Sequence, residues 1–147
     1  NGMPISAFCG RADILQSVAC GEVVISSTFG GETLSLAAAL ATMEVFANAD
    51  VVGHLARQGD RLWTDVRGLL ETRGIPVSVL GLGACPELRA HPDAPANALP
   101  DFFRAAYRHG VSLARVSFVS FGHTNDDLDE TLERLEAACL ELTHQAS

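Results

Sequence analysis

Seven consecutive residues, Ser26-Ser27-Thr28-Phe29-Gly30-Gly31-Glu32, set hydroxyls, adjacent glycines and an acid directly ahead of a run rich in alanine and leucine that has no helix breaker before Asn48. A helix starting there presents unpaired backbone N–H groups and the positive end of its dipole, and Thr28, Gly30 and Gly31 would let a phosphate approach closely. The same residues also describe an ordinary N-cap with glycines for the bend. Taken alone, they favour that plainer reading. Glu32 caps the helix in one account and touches a ligand in the other, and capping is the default.

The remaining chemical groups are sparser. His123 stands near Asp126 and Asp127, a combination that suggests a metal, but closed metal sites need converging ligands and acids at a helix start have a sufficient capping role. His91 and Asp93 lie in a loop with no third ligand at regular spacing. His54, His109 and His144 fall on or at the ends of expected helices and are read as solvent-facing. No metal site is expected. No Ser-His-Asp pattern, P-loop or dinucleotide fingerprint is present. All 10 basic residues other than histidine are arginine, so apart from its N-terminus the chain has no amine for a Schiff base. Cys9, Cys20, Cys85 and Cys139 are widely spaced in apolar surroundings and read as reduced core thiols of a cytoplasmic protein, not as zinc ligands or disulfide partners.

Composition sets the outer bounds. With 147 residues, 48% hydrophobic and 19% charged, the chain can bury a core as one domain or as parts of two. The net charge of −8 comes from scattered acids, with no basic stripe for nucleic acid and no polybasic patch for an anionic membrane, so neither partner is expected. No apolar run is long enough to span a bilayer, and NGMPISAFCGR has neither a basic leader nor a cleavage pattern, so nothing marks the chain for export.

The elements that must position these groups follow in order. Asn1-Gly2 is a turn signal, so the chain begins as a cut segment would; Pro4–Cys9 alternates as a short strand. Ala12–Val18 predicts a short helix ended by Gly21, before a strand-like Val23–Ser26. The central helix, about Glu32–Asn48, is apolar on most sides and is expected to be buried between layers. Asp50 caps a second, amphipathic helix with Val52, Leu55, Leu62, Val66 and Leu69 inward, ending at Arg73-Gly74 before Pro76. Val77 to Val79 and Ala84–Leu88 predict two short strands, and HPDAPANALP a surface loop. Pro100 starts a third helix that stops at His109-Gly110; Val111–Leu113 and Val116–Phe121 are candidate strands. Thr124 caps a final helix whose stripe is Leu128, Leu132, Leu135, Cys139 and Leu142. These elements make a small α/β layer.

NGMPISAFCGR followed by SSTFGGETLSLAAALATMEV resembles the second half of class III pyridoxal-phosphate-dependent aminotransferases, including the glutamate-1-semialdehyde aminomutase branch. VVGHLARQGDRLWTDVRGLL, the strand pair after GIPVSV, the helix ending RHGV and the closing FGHTNDDLDETLERLEAA agree, so the resemblance covers essentially the whole chain. It implies an α/β fold of fold type I, with residues 1–49 completing the large cofactor domain and residues 50–147 forming the small C-terminal domain. It also implies pyridoxal 5'-phosphate as cofactor and a homodimer whose active site is shared between subunits. Thr28 would bind the phosphate of the neighbouring subunit's cofactor, with Phe29 and Gly30 bordering the site.

The family's catalytic lysine lies a few residues before Asn-Gly-Met-Pro, hence upstream of Asn1, so this chain contributes no catalytic residue. Relatives often hold a substrate carboxylate with an arginine near the last strands. Arg115 is near that region, but VSFVSFGH does not match the usual pattern, and its role stays unassigned. Three functions follow as alternatives. One is amino transfer between a small-molecule amino donor and a ketone or aldehyde acceptor; another is an aminomutase moving the amino group within one molecule. The last is a non-catalytic fold relative or interaction domain, if this chain is complete without a lysine.

Overall fold

The computed structural model describes residues 2–145 and divides into two compact units at Ala49/Asp50. Asn1, half of the expected opening turn, lies outside the described residues.

The first unit holds two helices. Helix α1, Ala12–Ala19, ends where the N–H of Gly21, at φ +75°, donates to Val18 O. Helix α2, Thr33–Asn48, is capped by Glu32. The strands expected at Pro4–Cys9 and Val23–Ser26 do not form: both stretches are irregular and exposed. A strand exists only through a ladder partner, and among the described residues neither run has one. Helix α2 also departs from expectation. Only Ser35 is buried, while Leu34, Leu36, Leu40, Met43 and Phe46 are all exposed. Its apolar surface runs all round the helix, so more than one covering layer is needed to hide it.

The second unit has a packed core. Asp50 caps helix α3, Val51–Thr72, by accepting from Gly53 N–H at 3.0 Å. The buried stripe is Val51, Leu62, Trp63, Val66 and Leu70. The expected Val52 points to solvent and Leu69 only flanks the core, because the helix turns Trp63 inward and the stripe rotates by about one position. Gly74, at φ +64°, ends α3 and leads through Pro76 into β1, Val77–Leu80. Strand β1 pairs antiparallel with β2, Glu87–Ala90, in the register Val77↔Ala90 to Leu80↔Glu87.

The second strand thus lies later than Ala84–Leu88. That earlier stretch begins in a turn, where Cys85 N–H donates to Leu82 O at 3.0 Å, and it pairs irregularly on the far side: Val119, Ser117 and Leu88 donate to Ala84 O, Pro86 O and Arg115 O. Pro86 has no N–H to return the bond to residue 117, and only the Glu87↔Val116 bridge is regular. Val111–Leu113 does not form a strand.

Helix α4, Ala98–Arg108, starts two residues before Pro100, which sits in the first turn where a missing N–H is tolerated. It buries Phe102, Ala105 and Ala106 and stops at Gly110, φ +84°. Helix α5, Asn125–Gln145, packs on α3 and α4. It buries Leu128, Leu135, Ala138 and Cys139, with Leu132 and Leu142 at the margin. Backbone meets backbone between α3 and the turn after β1: a Cβ on Gly59 would lie 2.3 Å from Gly83 C and O, so the turn seats on α3 only because both positions are glycine.

Cys139 is buried, but Cys9, Cys20 and Cys85 are exposed, which corrects the expectation of core thiols. Apolar sequence neighbours do not bury a residue when the segment carrying it has no packing partner. No single described helix is long and apolar enough to cross a membrane.

Candidate functional site

The Ser26–Glu32 stretch forms two overlapping turns, in which Gly30 N–H donates to Ser27 O at 3.2 Å and Glu32 N–H to Phe29 O at 3.1 Å. Gly31 takes φ +73°, a conformation costly for a side chain, and a Cβ there would meet nothing within 4 Å. The turn therefore offers open space over backbone at the point where α2 begins.

Thr28, Phe29 and Gly30 are not equivalent here. Phe29 and Gly30, with Gly31, Glu32 and Ser35, line a recess of about 410 Å³ whose other wall includes Ile5 and Phe8. Thr28 is not in that lining; it stands exposed on the turn, and its hydroxyl has no hydrogen-bond partner among the described residues. Gly31 N–H likewise has no acceptor among them. A free hydroxyl and a free N–H over a side-chain-free turn fit one edge of a phosphate.

Glu32 changes the reading of the helix start itself. Its carboxylate accepts from Leu34 N–H at 2.8 Å and from Ser35 N–H at 2.6 Å. The adjacent Ser35 hydroxyl and these backbone donors hold its carboxyl below the usual carboxylate range. That hydroxyl is buried, lies beside the carboxylate and falls short of a directed hydrogen bond. Two donors of the first turn, Leu34 N–H and Ser35 N–H, are thus occupied by an internal anion, and the free hydroxyl and N–H described above lie on the preceding turn. Glu32 is a cap, as its position implied, and Ser35 is a neighbour that sequence spacing did not single out.

The other candidates resolve into structural roles. Asp127 Oδ2 accepts from Thr124 N–H and from its hydroxyl, each at 2.7 Å, while Asp127 N–H donates back to Thr124 Oγ1 at 3.2 Å. This reciprocal box holds the Asp127 carboxyl low. His123 Nδ1 accepts from Ser120 N–H at 3.2 Å. Among the described residues no three His, Cys, Asp or Glu side chains converge as metal ligands. His144 is exposed, whereas His54 and His109 are half-buried, a correction: His54 packs edge-on to Phe121 at 5.0 Å, and His109 Nε2 lies 3.0 Å from Glu141. Both rings find tertiary partners that helix position cannot announce.

Arg115 contacts Glu87 through Nε at 2.8 Å and Nη2 at 2.7 Å, and Arg89 reaches the same carboxylate at 2.8 Å. The two guanidinium groups, Arg115 foremost, hold Glu87 below its ordinary range. Glu87 was invisible as a partner because 28 residues separate it from Arg115.

The aminotransferase class-III family model matches residues 1–139. The chain belongs to this family. It is 29% identical to the glutamate-1-semialdehyde 2,1-aminomutase of Nitratidesulfovibrio vulgaris (strain DP4), over 90% of this chain and 34% of that protein. To the protein of the same description from Laribacter hongkongensis it is 32% identical, over 93% and 36%. The class-III chain therefore spans about a third of the length of the curated relatives it matches.

Among solved structures, the FumI protein of Sphingopyxis sp. MTA144, in its PLP internal aldimine form, matches with TM-score 0.72 at 22% identity, covering 87% of this chain and 31% of that one. An omega-transaminase from Sphaerobacter thermophilus matches with TM-score 0.73 at 19% identity, covering 89% and 34%. These matches establish the fold type I architecture.

Proposed function

We propose that this class-III chain is the C-terminal part of a pyridoxal-phosphate-dependent aminotransferase that moves an amino group between a small-molecule amine or amino acid and a ketone or aldehyde. The family match over residues 1–139 carries the reading, and the open turn ahead of α2 supports it locally. When bound, the cofactor withdraws electrons from the substrate Cα and carries the amino group. This chain's own part is to bind: Thr28 donates its hydroxyl, and Gly31 its N–H, to the phosphate, while Phe29 and Gly30 border it. Glu32 caps the start of α2 and, as an anion next to the turn, opposes the phosphate's charge. These 147 residues contain no lysine, and the resemblance places the amine that holds the cofactor just before the Asn-Gly-Met-Pro motif.

In the same reading, residues 1–49 end the large cofactor domain, residues 50–147 are the small domain, and the enzyme is a homodimer in which Thr28 serves the partner's cofactor. The exposed apolar surface of α2 supports an assembly that covers it. Four free cysteines support a reducing compartment, the cytoplasm. A second reading, transfer within one molecule as an aminomutase, is favoured by the descriptions of the curated relatives. An assay of the full-length protein with separate donor and acceptor separates the two, since a mutase needs no second substrate. A full-length sequence without a lysine just before Asn1 would turn the reading toward a non-catalytic relative.

The test of the site is cofactor titration with sedimentation on full-length protein. Thr28→Ala removes a hydrogen bond to a charged group and is expected to weaken cofactor binding by about ten- to a hundredfold, loosening the dimer with it. Glu32→Gln, which removes the competing anion, is expected to leave binding equal or tighter. Unchanged affinity in Thr28→Ala returns the turn to an ordinary N-cap.

A further inference from the structure

In the second unit, strand β1 is an edge: β2 pairs with one side of it, and no described strand pairs with the other. The register says which groups face that open side. His91 N–H donates to Pro76 O at 2.9 Å, so Pro76 and His91 form a hydrogen-bonded pair, and Ser78 and Leu80 repeat it along the strand. Val77 and Val79 therefore turn their N–H and C=O away from β2. Arg67 of α3 marks where they point. Its Nε donates to Val79 O at 3.2 Å, and Arg67, Leu70 and Ile75 line, together with β1, a cleft of about 470 Å³.

Two of the four edge groups are already spent. Arg67 holds Val79 O, and Val77 N–H donates back to Ile75 O at 2.8 Å. Val77 O and Val79 N–H have no partner among the described residues. This open pair has a direction. An antiparallel partner residue exchanges both bonds with one residue of the edge, which needs both groups of Val77 or both of Val79. A parallel partner residue donates to one C=O and accepts from the N–H two residues further on, and Val77 O and Val79 N–H, on either side of Ser78, are such a pair. A second copy of β1 does not supply it. Two-fold symmetry makes neighbouring copies of a strand antiparallel or, if parallel, sets like groups level with one another.

We propose that the open edge of β1 takes an added strand, parallel to β1, from the polypeptide that precedes Asn1 in the full-length protein. The inference rests on the reading of this chain as the C-terminal part of a longer enzyme, since about two-thirds of each curated relative lies outside the match. A parallel connection needs a dozen or more residues, and residues 1–49 together with α3 supply them. One residue of the added strand lies opposite Ser78 and makes both bonds. Its two neighbours fall on the face of the buried Val77 and Val79 and are apolar, extending that layer over the cleft.

The experiment is amide hydrogen exchange of the wild-type full-length protein at single-residue resolution, with Ser78 N–H, which faces β2, as internal reference. Val79 N–H is expected to exchange within about tenfold of Ser78 N–H. The occupant is identified by photo-crosslinking from p-benzoylphenylalanine placed at Ser78 or at the exposed Leu80, with the adduct located by peptide mass spectrometry. Adducts are expected on one segment upstream of Asn1, and moving the label from 78 to 80 should move the adduct toward that segment's C-terminus. Free exchange at Val79 overturns the proposal. So does slow exchange with adducts only within residues 2–145, or an adduct that moves toward the segment's N-terminus. Cofactor uptake, read by absorbance of the same preparation, reports on the aminotransferase reading separately, so a cofactor-loaded protein whose Val79 exchanges freely overturns the added strand alone.

Discussion

Helices α2 and α5 both draw heavily on leucine and alanine, yet α2 buries Ser35 alone, whereas α5 buries Leu128, Leu135, Ala138 and Cys139. In α5 the apolar residues form one stripe, and α3 and α4 suffice to cover it. In α2 they surround the axis, and the first unit has no layer that could cover every side. Every buried apolar side chain among the described residues belongs to the second unit. Burial is thus decided by whether a helix's apolar surface has as many partners as it has faces.

The contrast is broken most directly at Phe102, fully buried in the second unit. Phe102→Ala is expected to cost about 3–5 kcal/mol in denaturant unfolding of the full-length protein; a neutral result would mean that the core is not the source of that unit's stability. A smaller effect sharpens the other side. Leu40, 67% exposed, should tolerate alanine within about 0.5 kcal/mol in the 147-residue chain. In the full-length protein, if other layers cover α2, the same change should cost about 2–5 kcal/mol. Equal values in the two contexts would show that α2 stays uncovered.

The smallest effect is chemical. At about pH 8, iodoacetamide should label Cys9, Cys20 and Cys85 and spare Cys139, read by peptide mass spectrometry. Burial pushes the Cys139 thiol up from 9.0 to about 11. The fold therefore favours the neutral thiol; its stabilising contribution is whole below the ordinary value and is lost as pH rises through about 11. Rapid labelling of Cys139 below that range would place it outside the core.

What was legible in the sequence was local. Asp50, Glu32 and Thr124 cap the helices they precede, and Gly74 and Gly110 end the helices they follow, because capping and chain reversal depend on a few adjacent residues. The Thr28-Phe29-Gly30-Gly31 turn was legible for the same reason, and its motif carried the family.

Tertiary structure alone decided what depends on distant residues. Pro4–Cys9 and Val23–Ser26 have strand-like patterns but no strand, since a ladder is a property of two segments. Ala84–Leu88 gave way to Glu87–Ala90 as the named strand because Leu88 must face Val79 while Pro86 can return no bond on its other side. Glu87 with Arg115, His54 against Phe121, and His109 with Glu141 join residues far apart in the chain. Their pairing is set by how α3, α4 and α5 pack, which no local pattern encodes.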